Sequence, residues 1–105
     1  MTQLARNLDL ALELSQEIVR LAGEKRWPDM EALDRQRMQL LETIFRDPGM
    51  KAARSELEER IGQIQALNDR AMAICKESRQ DLTRDGRRLK QGREAIQAYR
   101  KQSHD

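Results

Sequence analysis

Aromatic side chains are almost missing from this chain, with one Trp, one Phe and one Tyr among 105 residues. Strand cores rely on Val, Thr and aromatics in alternation, and no such alternation occurs here. Two prolines and five glycines fall mostly at candidate breaks rather than in loops of any length. The lone cysteine, Cys75, cannot close an intrachain disulfide, which fits a reducing cytoplasm. The single histidine, His104, stands next to the last residue. There is no Gly-rich phosphate loop, no nucleophile elbow and no Cys/His metal spacing. No catalytic residue, cofactor or metal ligand is therefore assigned, and an enzyme is not expected. No apolar run approaches the length of a membrane span. Arg6, Asp9 and Glu13 interrupt the first apolar positions, so no signal peptide is expected.

What the chain does have is charge and helical periodicity. It is 38% hydrophobic and 36% charged, and Leu, Ile, Met and Ala carry the burial. The fold class expected is all-α: an antiparallel helical bundle of two shorter helices and a long C-terminal helix that can break into a fourth. One helical domain over residues 1–105 is expected, with 1–84 as the bundle and 85–105 as a mobile C-terminal helix.

Helix 1 is predicted from about Thr2 to Lys25. Its apolar residues spread over about 200° of the wheel, where one neighbour needs only about 100°. It must touch two neighbours or leave part of the arc open. Gly23 to Pro28 forms the break, with Pro28 suited to the first turn of the next helix. Asp29 and Glu31 follow there, near the positive helix end. Trp27 is expected to pack across this junction. Helix 2, from about Pro28 to Phe45, carries the stripe Met30, Leu33, Arg37, Leu40, Ile44. Arg37 interrupts that stripe. An unpaired arginine in a core is very costly, so its head must reach water or a polar partner. A salt bridge to Asp69 or a hydrogen bond to Asn68 is expected. Arg46-Asp47-Pro48-Gly49 reads as a turn, and Ser55 with Glu58 reads as a capping box. The third helix is thus placed to start between Met50 and Ser55.

From there an unbroken heptad stripe runs through Leu57, Ile61, Ile64, Asn68, Ala71, Cys75, Ser78, Leu82, Asp85, Leu89, Gly92, Ile96 and Tyr99. Steps of four and three keep one seam of a helix facing a partner. As one helix this segment would span roughly 65 Å, about twice the reach of helices 1 and 2. Thr83-Arg84-Asp85-Gly86 weakens it locally. Since the phase is unchanged across that site, a joint within or between collinear helices is expected. The part beyond it either bends back or stays extended.

Charge is uneven. Residues 1–50 hold seven basic and nine acidic side chains; residues 51–105 hold thirteen and nine. Eight basic residues lie between Arg79 and Lys101, against Asp81, Asp85 and Glu94. A solvated face with i,i+4 pairs is the simpler account; an acidic partner is the sharper one. Nucleic-acid binding is not expected, because acids interleave and only Tyr99 could stack on a base.

Several local features occur together in a fixed order. A Leu/Ala-rich first helix ends in Ala22-Gly23, with Trp27 close behind. The second helix carries Leu33, Arg37 and Leu40-Leu41. The long segment holds Ile64 and Leu67-Asn68 and ends in Ala95-Ile96-Gln97-Ala98-Tyr99. Over about residues 4–100 this pattern resembles the FliT-type flagellar export chaperones, small cytosolic helical proteins of the flagellar type III secretion system. The resemblance implies binding to the C-terminal part of the filament-cap protein FliD, which is kept monomeric and delivered to the export ATPase complex. It further implies, for some members, binding of the flagellar master transcriptional regulator and a last helix that folds over the binding surface as a lid. Ile64, Ala71, Leu82, Leu89, Ile96 and Tyr99 are the candidate partner-binding residues. Arg37, Asn68 and Asp69 are the candidate polar seam. The alternative is a structural coiled-coil protein, such as a homodimer, whose seam is satisfied by self-association without a client. Polar seam residues Asn68, Ser78 and Asp85 argue against a simple strong coiled coil.

Overall fold

Thr2 opens the first helix by capping it: its Oγ1 accepts from the Ala5 N–H at 3.1 Å. The computed structural model describes residues 2–78 and 84–102, the side chains of Arg54, 84–87 and Gln102 excepted. Among the described residues five helices run in the order α1 (Gln3–Gly23), α2 (Trp27–Arg46), α3 (Gly49–Ala52), α4 (Arg54–Glu77) and α5 (Arg84–Gln102). The chain is all-α, with no strand among the described residues. Helix α1 packs on α2 and α4, and α5 packs on α4 and α2.

The α1–α2 junction is set by backbone geometry. The Lys25 N–H donates to the Ala22 carbonyl and the Arg26 N–H to the Leu21 carbonyl. This is the Schellman closure, which places the residue after the cap in the left-handed region. Here that residue is Lys25, at φ 59°, and Gly23 lies inside the helix. Pro28 occupies the first turn of α2, where its missing N–H leaves no bond unmade. Asp29 in that turn pairs with Arg26 at 2.6 Å. Trp27 is half-buried against the core beneath the junction.

The turn after α2 is tied by the Gly49 N–H donating to Asp47 Oδ1 at 2.8 Å. The short α3 buries Met50 and runs almost directly into α4. Ala53 caps α4 with its carbonyl, which accepts from the Glu56 and Leu57 N–H groups. The capping box expected at Ser55 and Glu58 does not form. Ser55 already lies inside the helix, and Glu58 is turned toward Arg100 on α5.

The long seam is not one rod. Helix α4 stops at Glu77, α5 starts at Arg84, and the longest dimension of the molecule is 40 Å. Arg100 at the far end of α5 meets Glu58 near the start of α4, and Arg93 meets Asp69. Helix α5 therefore returns antiparallel along α4 instead of continuing its line. The expected joint lay at Thr83–Gly86. Asp85 and Gly86 belong to the first turn of α5, while Thr83 and Leu82 lie outside the described residues. Phase survives the reversal because one apolar stripe on each helix faces the same core. Leu57, Ile61, Ile64, Ala71 and Cys75 enter it from α4, and Leu89 and Ile96 from α5.

That core has two apolar clusters. One gathers Leu4, Leu8, Ala11, Leu41, Ile44, Met50, Leu57, Ile61, Ile64 and Ile96, with Phe45 and Tyr99 stacked at its edge. The other gathers Ile18, Leu21, Ala22, Met30, Ala71, Cys75 and Leu89. Helix α1 reaches both neighbours and still leaves some of its arc open. Leu10 is 43% exposed, beside a shallow groove lined by Leu14, Leu40, Gln36, Gln39 and Thr43.

A non-glycine residue in the left-handed region costs about 1–2 kcal/mol, partly offset in a glycine variant by a freer unfolded chain. Lys25→Gly is expected to raise the unfolding free energy by about 0.5–1 kcal/mol, read from the urea midpoint at an unchanged slope.

Candidate functional site

Between the two apolar clusters lies a layer of buried polar side chains: Ser15, Asp34, Arg37 and Asn68. Each stands at the step where its helix passes from one cluster to the other. In α1 the stripe is Ala11, Ser15, Ile18; in α2 it is Met30, Asp34, Arg37, Leu41; in α4 it is Ile64, Asn68, Ala71. Helix α5 crosses the same level at Gly92, between Leu89 and Ile96.

Arg37 is the centre of this layer and is fully buried. Its Nη2 donates to Asp34 Oδ1 at 2.8 Å, one turn back on the same helix. The same nitrogen donates to Asn68 Oδ1 across the bundle. Its Nη1 donates to Ser15 Oγ at 3.2 Å, and that hydroxyl donates to the Ala11 carbonyl at 2.8 Å. Asn68 Nδ2 carries the network into α5 by donating to the Leu89 carbonyl at 2.9 Å. Four helices are thereby joined through one guanidinium and one amide. Burial pushes the Asp34 carboxyl above the usual range, while the Arg37 charge pulls it back. Burial likewise lowers the Arg37 pKa, opposed by Asp34. Among the described residues, the buried atoms Asp34 Oδ2 and Arg37 Nε have no hydrogen-bond partner.

Of the expected polar seam, Arg37 and Asn68 meet directly. Asp69 does not join them: it points outward and pairs with Arg93 of α5 at 3.3 Å, both side chains being 45% exposed. A residue one step from the seam on α4 faces away from the α2 side. Asp34 and Ser15 were not singled out from the sequence. The stripe on α2 runs through Asp34 and Leu41, and Leu33 and Leu40 are only half-buried beside it. An acid three residues before a seam arginine was the available signal.

Among the candidate partner-binding residues, Ile64, Ala71, Leu89 and Ile96 are all buried in the core. Tyr99 is half-buried, its ring stacked on Phe45 at 4.6 Å between centroids. Leu82 lies outside the described residues. Leu57, Ile61, Ile64, Ala71, Cys75, Leu89 and Ile96 of the long seam are thus covered within one molecule. Three basic residues of α5 reach across to other helices. Arg88 pairs with Glu31 of α2 at 3.3 Å, Arg93 with Asp69, and Arg100 with Glu58 and, at 2.6 Å, Gln65.

Among the described residues, no cluster of three or more His, Cys, Asp or Glu side chains could hold a metal ion. Nor is any described helix long and apolar enough to cross a membrane. The class defined so far is a small all-helical protein with an ionic layer in its core and a last helix laid over the other helices. The family model described as flagellar protein FliT matches residues 5–101, and the chain belongs to that family of flagellar export chaperones. No curated protein and no solved structure matches it.

Breaking a buried pair by removing one partner costs about 3–5 kcal/mol, whereas apolar replacement of both is often near neutral. Arg37→Met is expected to fall in the first range. The double variant Arg37→Met with Asp34→Leu should recover most of that loss, as a urea double-mutant cycle will read. Because the folded pKa of Asp34 is raised, its contribution to stability is full below the unfolded value of about 3.9 and is lost as pH rises through the folded one. Subtracting the Tm–pH profile of Asp34→Asn from that of the wild type should leave a component that falls over that window.

Proposed function

We propose that this chain is a cytoplasmic chaperone of flagellar type III export whose client is the C-terminal segment of the filament-cap protein FliD. It binds that segment as an amphipathic helix on α2 and α4, in the place that α5 occupies in the described conformation. Holding the client there prevents premature assembly until hand-over to the export ATPase complex. A flagellar master transcriptional regulator is proposed as a second partner of the same surface.

What supports this reading is the attachment of α5. It has two large apolar side chains fully buried, Leu89 and Ile96, and Tyr99 at the rim. Burial of such aliphatic groups is worth about 1.5–3 kcal/mol each. The ion pairs that flank them lie partly in solvent, where such pairs contribute about 1 kcal/mol at most. Together these terms put the cost of lifting α5 at about 3–9 kcal/mol, within reach of the ~8 kcal/mol of a micromolar complex because a client helix seated there re-forms the same kind of contacts. It would free Ile64 and Ala71 as a floor for the client, in a helix-in-groove mode. Leu89, Ile96 and Tyr99 are then residues of the lid. In this reading α5 (Arg84–Gln102) is the movable part and α1–α4 are the bundle.

The lid lowers client affinity by the free energy of its own docking and no more. Calorimetric titration of the FliD segment into the wild type should show one-to-one binding. Into Ile96→Asp it should bind about tenfold tighter or more, since one lost aliphatic anchor exceeds 1.4 kcal/mol. Equal affinity would remove the lid, weaker binding would place α5 in the client site, and no binding by either would sink the FliD assignment.

A further inference from the structure

The contribution of α5 to the buried polar layer is a missing side chain. A Cβ built on Gly92 would lie 3.4 Å from Met38 Sδ and 3.5 Å from both Arg37 Nη2 and Asn68 Oδ1. Those are ordinary contacts, so one methyl group fits, and a longer side chain starts with the Met38 sulfur, the guanidinium and the amide already at contact distance. The close backbone approach has a use, because Asn68 Nδ2 reaches the Leu89 carbonyl three residues earlier. Large aliphatic groups flank the small residue on both sides. Leu89 fills the cluster around Ile18 and Met30, and Ile96 the cluster around Leu8 and Ile61.

A helix with an uninterrupted leucine seam would meet this surface badly. Its central side chain would push on Arg37, already bonded to Asp34, Ser15 and Asn68. It would also keep Asn68 from a backbone carbonyl, leaving a buried donor unsatisfied. Discrimination by such penalties against the wrong partner is strong because it acts on buried groups.

We propose that the Ser15–Asp34–Arg37–Asn68 layer is a selectivity filter for the helix lying on α2 and α4. It admits a helix whose residue opposite Arg37 is no larger than alanine, with a large aliphatic residue three positions before and another four positions after. Leu89, Gly92 and Ile96 supply that pattern in cis, and a client helix must supply it in trans. The trans half rests on the reading that a client replaces α5; the cis half does not.

Full-length protein carrying Ile96→Asp, which loosens its own α5, is titrated with three labelled peptides: residues 84–102, the same with Gly92→Ala, and the same with Gly92→Leu. The first two should bind within about threefold of each other and the third at least tenfold more weakly, as an overpacked core site costs. Equal binding by all three, or tighter binding by the leucine peptide, overturns the filter. Hydrogen exchange on the intact chain gives a second test that needs no peptide. Gly92→Ala should keep the amides of α5 protected. Gly92→Leu should speed their exchange at least tenfold while α1, α2 and α4 stay protected, and equal protection in both variants overturns the proposal. In a separate arm the FliD segment competes with the 84–102 peptide. A segment that binds without displacing the peptide overturns the trans half. A segment that does not bind, beside peptides that do discriminate, supports the filter and overturns the client assignment instead.

Discussion

One buried guanidinium organises this bundle. Arg37 stands where four helices cross the same level, and a charge at that depth is tolerated only with an opposite charge and good hydrogen bonds. Asp34 supplies the charge from the same helix; Ser15 and Asn68 supply acceptors from α1 and α4. Each of those groups needs a fixed distance, so the layer sets the axial register of all three helices. Apolar packing alone would be more permissive, because Leu, Ile and Met cores accept shifted neighbours at modest cost. Asn68 then passes the register on to α5 through the Leu89 carbonyl.

The same layer explains why the apolar core is divided. The clusters around Leu8 and Ile61 and around Ile18 and Met30 are each small, with aliphatic rather than aromatic filling. Helix α1 serves both, and its two neighbours account for most of its wide apolar arc. Helix α5 also reaches both, but through one large residue in each. The last helix is therefore held by few large apolar anchors and by ion pairs that lie partly in solvent. Elements that move in function are drawn from the lightly held end of a structure, and the proposed displacement of α5 by a client would act on that end.

Much of the fold was legible in the residue pattern. The class, the breaks near Gly23–Pro28 and Asp47–Gly49, and the burial of the α4 stripe all follow from periodicity and turn residues. Arg37 with Asn68 was legible too, because a cation and an amide each interrupt an apolar stripe. Asp34 and Ser15 were not, since an acid or hydroxyl next to a stripe looks the same whether it faces solvent or a buried arginine. Asp69 shows the converse: its charge suits Arg37, yet one helical step turns it outward to Arg93. The capping pattern at Ser55 and Glu58 failed because α4 starts earlier, with Ala53 as its N-cap, and Glu58 was drawn to Arg100.

By itself the sequence determined that this chain forms amphipathic helices, where most of them begin and end, and that the pattern is that of the FliT family. Local forces suffice for these: side-chain periodicity, caps, and the backbone limits of Pro and Gly. Tertiary structure alone decided that α5 runs back along α4 instead of extending the rod. A heptad phase is blind to direction, so a stripe continues equally well through a straight joint or a reversal. Only three-dimensional packing could show that the missing side chain at Gly92 faces the buried Arg37. That relation joins residues 55 positions apart, and no local rule connects them.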